Sequence, residues 1–140
     1  MELALTCMIF RVQTQPNTTT SAAPSTSTVI VDTAGCPLVN NSTYTSTSNT
    51  NFLKLCDTEI VAASGQNIDI SNSVQSSFDA CLNSCASTKG CVGASWVIFS
   101  ALNPNRNSVC YLKSKTVVAT AASVTGETVV SGFLESAIGM

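Results

Sequence analysis

One segment of the chain carries apolar residues at the spacing of an α-helix. They fall at positions i, i+4, i+7, i+8 and i+11 and would form one stripe on a helix surface: Val74, Phe78, Cys81, Leu82 and Cys85. Ser76, with Asp79 three residues later, resembles a capping box in which Asp stands in for Glu, and Gly90 is a typical helix stop. The pattern predicts a helix over about residues 77–88.

Several other segments have the composition of β-strands. Residues 91–99 are rich in Val, Ile, Trp and Phe and contain no proline. The Asn- and Pro-rich residues 103–107 predict a turn into a second strand, which makes a hairpin. Further strands or extended pieces are predicted at 52–56, 59–63, 66–70, 109–113, 117–122 and 128–134, and the last two are predicted to form a final hairpin that closes the sheet. We therefore predict an α+β fold with mainly antiparallel strands.

The aromatic residues divide between core and surface. Trp96, the single tryptophan, shares a strand face with Ala94 and Ile98, which favours the core over the alternative of a sugar-stacking platform. Tyr111 follows a cysteine and is predicted to be packed. Tyr44 lies in a Ser/Thr-rich run and is predicted to be exposed.

The spacing of four cysteines favours disulfides. On the predicted helix, Cys81 and Cys85 have Cβ atoms about 5–6 Å apart, whereas a disulfide needs roughly 4 Å with converging vectors. Each should therefore pair outward. Cys85 reaches Cys91 across a short turn, which leaves Cys81 for Cys110. Of three possible connectivities, this nested one avoids both a helix-internal bond and a long crossed pairing.

Other chemistry has weaker support. The spacing of Cys81 and Cys85 has one residue more than the redox motif Cys-x-x-Cys. A four-cysteine zinc site would require a reducing compartment. Asn67, Asp69 and Ser71 alternate and would offer oxygens on one side of a strand, yet the carboxylates are too few for a tight calcium cage. We predict structural disulfides, no metal and no cofactor.

Composition excludes several classes of function. The 140-residue chain has 10% charged residues, a net charge of −2 and no basic cluster, so neither a nucleic acid nor an anionic membrane is predicted as a partner. It has no histidine, which removes the commonest general base and the usual activator of a catalytic Ser or Cys. We predict that the protein is not an enzyme.

The first 34 residues differ in composition from the rest. Residues 1–15 are predicted to be a signal-peptide remnant or a misassigned start, because their apolar run is too short to span a membrane. Cys7 is the odd cysteine and is predicted to have no partner in the folded domain. The Ser/Thr-rich residues 16–34 are predicted to be a linker, and residues 35–136 the domain. Asn17, Asn40 and Asn41 begin sequons and are candidate glycosylation sites, which fits secretion.

The order of several short motifs resembles the PAN/apple domain family, in the form common in secreted fungal proteins. The resemblance covers residues 36–113, just over half of the chain. The motifs that carry it are Cys36-Pro37 with Tyr44, Phe52-Leu-Lys-Leu-Cys56, Ile68-Asp69-Ile70, Ser77-Phe-Asp-Ala-Cys81-Leu-Asn-Ser-Cys85, Gly90-Cys91-Val92 and Cys110-Tyr-Leu-Lys113.

The resemblance implies a small, mainly antiparallel β-sheet packed around one α-helix and held by the two helix disulfides. Many apple domains also join their first strand to their last through a disulfide, but no cysteine follows Cys110 here. The comparison therefore implies a bond between Cys36 and Cys56 instead.

Two functions of different class follow. The resemblance implies a secreted, non-catalytic module that binds a carbohydrate or an extracellular protein. From their places in a Ser/Thr-rich run and in a loop, we select Tyr44, Asn105 and Arg106 as candidate ligand-binding residues. The alternative is a structural or cell-wall-associated surface glycoprotein in which the domain is a stable spacer. A third option, a non-catalytic module cut from a larger enzyme, stays open.

Overall fold

A six-stranded antiparallel sheet with one helix on its face forms the frame of the molecule. The computed structural model describes residues 22–62, 66–114, 118–121 and 126–137. The predictions for residues 1–15, Cys7, the start of the linker and Asn17 lie outside these residues. The elements are β1 (Thr43–Thr45), β2 (Asn51–Cys56), β3 (Thr58–Val61), β4 (Asp69–Val74), α1 (Phe78–Ser87), β5 (Gly93–Ser100), β6 (Val109–Lys113), β7 (Val118–Ala121) and β8 (Glu127–Leu134).

The strand order in the main sheet is β1-β2-β8-β5-β6-β4, and β3 and β7 form a separate two-stranded ribbon. All of these pairings are antiparallel. The predicted small, disulfide-rich α+β fold is therefore confirmed at this level. No helix in the described part of the chain is long and apolar enough to cross a membrane.

The N-cap of helix α1 lies one residue later than predicted. Ser77, not Ser76, is the N-cap, and its Oγ accepts a hydrogen bond of 3.1 Å from the backbone N–H of Ala80. Val74 is not part of the helix: it ends β4 and is 73% exposed, so its place in the apolar stripe was a coincidence of spacing. Gly90, with φ of +81°, turns the chain after the helix, a conformation that glycine adopts without strain.

The two faces of the sheet are covered differently. On one face, α1 packs over alternating residues of the central strands, and this helix-side core also contains the two helix cysteines. On the other face, the β3–β7 ribbon covers a smaller cluster of Ile60, Ile68 and Phe133. Two glycines let the layers approach: a Cβ on Gly132 would collide with Leu82 of the helix, and one on Gly93 would lie 2.8 Å from Ile60 of the ribbon.

The predicted final hairpin between β7 and β8 is wrong. Strand β8 does not pair with β7 but lies between β2 and β5 in the centre of the sheet, while β7 pairs with β3. The physical reason is the run of consecutive buried residues in β8, including Val129, Val130 and Phe133. Val130 lies in the helix-side core and Phe133 in the ribbon-side cluster, so both faces of β8 are buried between the two layers.

Three disulfides join the elements. Cys81 of α1 is bonded to Cys110 of β6, and Cys85 of α1 to Cys91 just before β5. The third bond joins Cys36 to Cys56 at the end of β2. The pairing is the one expected from the sequence, and it fixes both the helix and the segment before β1 to the sheet.

Candidate functional site

Tyr44 is half-buried, which corrects the prediction that it is exposed. It lies on β1 opposite Phe52 of β2, and its hydroxyl donates a 3.2 Å hydrogen bond to Oδ1 of Asn83 on the helix. The same Asn83 oxygen accepts the backbone N–H of Thr47. The Ser/Thr-rich composition therefore gave no indication of this short edge strand, which is hydrogen-bonded to the helix through Asn83.

Asn105 and Arg106 lie in a short 3₁₀ helix, Pro104–Arg106, between β5 and β6. Asn105 is exposed. Arg106 binds within the protein: Nη1 lies 2.8 Å from Oε1 of Glu127, and Nε donates to the hydroxyl of Tyr111 at 3.2 Å. Because Tyr44 is on an edge strand and faces the helix, whereas Arg106 contacts groups on the ribbon side, the structure does not bring these candidates together.

The environment of Arg106 keeps it charged. Burial by itself lowers the pKa of Arg106, but the hydrogen bond and charge interaction with Tyr111 and the carboxylates of Glu127 and Glu59 outweigh this, so that the pKa is raised above its ordinary value. The side chain of Glu127 is only 2% exposed and also accepts a hydrogen bond from Ser100. Arg106 therefore neutralises a buried carboxylate, which is a structural task.

The two described sequon asparagines differ in their surroundings. Both Asn40 and Asn41 are exposed. The Oδ1 atom of Asn40 accepts the backbone N–H of Cys56 at 2.9 Å, next to the Cys36–Cys56 bond. Asn41 has a φ of +61°, a left-handed conformation that Asn tolerates better than most residues. Both positions offer an amide at the surface, and their glycosylation stays a prediction.

Lys54 is a functional candidate that the sequence interpretation passed over. It lies on β2 in phase with Phe52 and points into the helix side of the sheet, where its side chain is only 10% exposed. There Nζ donates a 2.6 Å hydrogen bond to Oδ1 of Asp79 and lies 4.8 Å from the ring centroid of Tyr44 and 5.3 Å from that of Phe78. The available signal was the alternation of Phe52, Lys54 and Cys56, which places the lysine on the core face.

A surface hollow opens beside this lysine. The Lys54 hollow has a volume of about 370 Å³ and is lined by residues 32–35, Val39, Lys54 and residues 77–79. One wall is a turn in which Oδ1 of Asp32 accepts the backbone N–H groups of Ala34 and Cys36. The ionisable side chains of its lining are Asp32, Asp79 and Lys54, so two carboxylates and one ammonium give a formal charge of −1.

A second hollow lies on the opposite face. Its volume is about 260 Å³, and its lining includes the ion pair in which Nζ of Lys113 lies 2.5 Å from Oδ1 of Asp69. This carboxylate is bound to Lys113, and Oδ1 of Asn67 accepts the backbone N–H of Asp69, so two of the three side chains weighed for calcium already have partners. Within the described ranges, no group of three or more Cys, Asp or Glu side chains could hold a metal ion.

Trp96 is part of the core, as predicted. It is 3% exposed, and its ring stacks on Phe78 with centroids 6.5 Å apart, so it offers no face to a sugar. Its Nε1–H has no hydrogen-bond partner among the described residues. The polar groups of the Lys54 hollow are therefore a better candidate for recognition than an aromatic platform.

We compared the chain with protein-family models, curated proteins and solved structures, and none of them matches it.

Proposed function

We propose that the protein is a non-catalytic extracellular binding module of the PAN/apple type that recognises a carbohydrate or the polar surface of an extracellular protein, with the Lys54 hollow as its binding site. Three disulfides support an oxidising, extracellular compartment. The order of the cysteine motifs, together with one helix on an antiparallel sheet, supports the PAN/apple resemblance.

The observation that carries the proposal is the nearly buried ammonium group of Lys54. An ammonium group has three N–H donors. Among the described residues, Asp79 accepts one hydrogen bond from it, and the rings of Tyr44 and Phe78 make weaker contacts. Donors remain for a ligand, and burial would strengthen each such bond because the local dielectric is low.

The charge of the hollow limits the class of ligand. A formal charge of −1 disfavours acidic sugars and phosphates. A neutral hydroxyl fits better, because it accepts from Lys54 and donates to the carboxylate of Asp79, which belongs to a side chain that is 54% exposed. Carbohydrates present many such groups in a small volume.

The test is a glycan array probed with the folded protein, followed by titration of the best ligand. We expect saturable binding to neutral glycans. Lys54→Met keeps an unbranched side chain only one atom shorter but removes the charge and its donors, and should weaken binding about tenfold to a hundredfold, as the loss of a hydrogen bond to a charged group does. Asp79→Asn should weaken binding less.

The matched control is Lys113→Met on the opposite face, which removes the other buried lysine of an ion pair. It should leave glycan binding unchanged. If Lys113→Met abolishes binding and Lys54→Met does not, the site is wrong. If the folded protein shows no saturable binding to glycans or to extracellular proteins, the binding module is wrong and the spacer alternative replaces it.

A further inference from the structure

Strand β4 is an edge strand whose outer side is unpaired within the part of the chain that the structure describes. It pairs with β6 on one side and ends the strand order of the main sheet. All six of its residues are exposed. The opposite edge, β1, has only three residues, so β4 is the longer template for pairing with another chain.

The ladder between β4 and β6 shows which backbone groups point outward. The N–H of Gln75 donates to the carbonyl of Ser108 at 2.8 Å, so this residue faces β6. Hydrogen-bonding direction alternates along an antiparallel strand. Ser73 and Ser71 therefore also face β6, while the N–H and C=O groups of Asn72 and Val74 face away from the sheet.

The outer edge of β4 is weakly protected against pairing. Natural edge strands are commonly blocked by lysine, proline, inward charges or bulges. In β4 a bulge lies between Asp69 and Ser71, and the one charge, on Asp69, is bound to Lys113. Residues 71–74 contain no charge and no proline, and they end in Val74, which is 73% exposed.

We propose that β4 pairs antiparallel with β4 of a second copy of this chain, about a two-fold axis within residues 71–74. The strand is complementary to itself, because only Ser, Asn and Val side chains meet across such an axis. No like charges approach, since Lys113 neutralises each Asp69. The outward groups of Asn72 and Val74 form the new hydrogen bonds, and the two six-stranded sheets join into one.

The dimer is expected to be weak and concentration-dependent. One strand pair buries less than the roughly 1,000 Å² that a stable interface requires. Sedimentation equilibrium over a wide range of protein concentration should show the average mass rise reversibly from one chain toward two.

Two variants and a control identify the strand. Asn72→Pro removes an outward N–H but none of the bonds to β6, and proline is tolerated at such edge positions. Val74→Lys places a charge at the edge. Each should raise the dissociation constant of the dimer about tenfold or more, because a two-fold axis loses every contact twice. Leu102→Lys changes a similarly exposed apolar residue, 78% exposed, in the loop after β5 and should leave the dimer unchanged.

Circular dichroism should show that each variant is folded. A chain that stays a monomer at every concentration would overturn the proposal, even if it binds an extended peptide of another protein. A dimer that Asn72→Pro and Val74→Lys leave intact would also overturn it, as would equal weakening by Leu102→Lys. None of these outcomes bears on the Lys54 hollow, because it lies between β2, α1 and the turn before β1.

Discussion

The layers that cover the two faces of the main sheet are attached to it by different kinds of interaction. On the helix side, two disulfides join α1 to β6 and to Cys91, two residues before β5, and the cysteines themselves are buried in a large apolar cluster. On the ribbon side, the structure places no disulfide among the described residues, and the apolar cluster has three fully packed members.

Hydrogen bonds replace the missing cross-links on the ribbon side. The N–H of Ile60 donates to Oγ of Ser95 at 3.1 Å, Ser95 and Ser131 are joined at 2.8 Å, and Ser131 donates to the carbonyl of Thr58 at 2.6 Å. Because Ser131 gives its proton to Thr58, Ser95 must donate to Ser131. This chain of hydrogen bonds attaches β3 to the sheet. The helix side is therefore stabilised by disulfides, which restrict the conformations of the unfolded chain. The ribbon side is stabilised by hydrogen bonds in the folded state.

The largest expected effect is on the helix side. Replacing Cys81 and Cys110 together by Ala should lower the free energy of unfolding by about 3.6 kcal/mol, since loop entropy grows with the 29-residue separation. The matched double variant at Cys85 and Cys91, which are 6 residues apart, should cost about 2.2 kcal/mol. Urea unfolding measures both. Equal losses would show that chain entropy does not set the contribution of these bonds.

A pair of glycine variants compares the two interfaces next. Gly93→Ala should cost about 2–3 kcal/mol, because its Cβ would lie 2.8 Å from Ile60 and 2.9 Å from the backbone oxygen of Gly132, which cannot move without separating the strands. Gly132→Ala should cost about 1–2 kcal/mol, since it meets the flexible end of Leu82. Thermal unfolding gives the ranking. The reverse order would mean that the ribbon yields more readily than the helix.

The chain of hydrogen bonds through Ser95 and Ser131 should contribute less than the contact of Gly93, the glycine on the ribbon side. Ser95→Ala leaves the buried N–H of Ile60 without its acceptor and should cost about 1–2 kcal/mol. Hydrogen exchange of the Ile60 amide should accelerate more than that of amides in α1. Uniform acceleration across the protein would contradict a local role in holding β3.

The smallest effects are expected from the two tyrosine hydroxyls, one on each side. Tyr44→Phe removes the bond to Asn83 and should cost about 0.5–1 kcal/mol. Tyr111→Phe should cost somewhat more, about 1–1.5 kcal/mol, because its donor is the charged Arg106, which keeps Glu127 as a partner. Chemical denaturation resolves the pair. A larger loss for Tyr44→Phe would mean that β1 is held chiefly by this one bond.

Local patterns in the sequence predicted the elements that local physics determines. The helix follows from the stripe of Phe78, Cys81, Leu82 and Cys85, which the structure buries. The β5–β6 hairpin follows from two β-rich runs around an Asn/Pro loop. The two helix disulfides follow because residues one helical turn apart cannot bond to each other, whereas the Cys36–Cys56 bond was implied by the family resemblance.

Contacts between elements that are distant in the chain could not be predicted from such local patterns. The buried run of β8 fits a covered strand, but nothing local selects β2 and β5 as its neighbours, since both are distant in the chain. Lys54 and Asp79 are 25 residues apart, so their ion pair depends on how α1 settles on the sheet. The sequence could not show for the same reason that Tyr44 and Arg106 lie on different faces, and their roles in ligand binding stay predictions.

The central position of β8 has a consequence for biosynthesis. Among the described elements it follows β2, α1 and β5 in the chain, yet β2 and β5 are joined in the sheet only through it. Until β8 is synthesised, the strands and the helix that precede it lack their common partner in the sheet. Their cysteines can then form non-native disulfides with one another. The main sheet is therefore completed only once β8 has been synthesised, although all six cysteines of the three disulfides precede it in the chain.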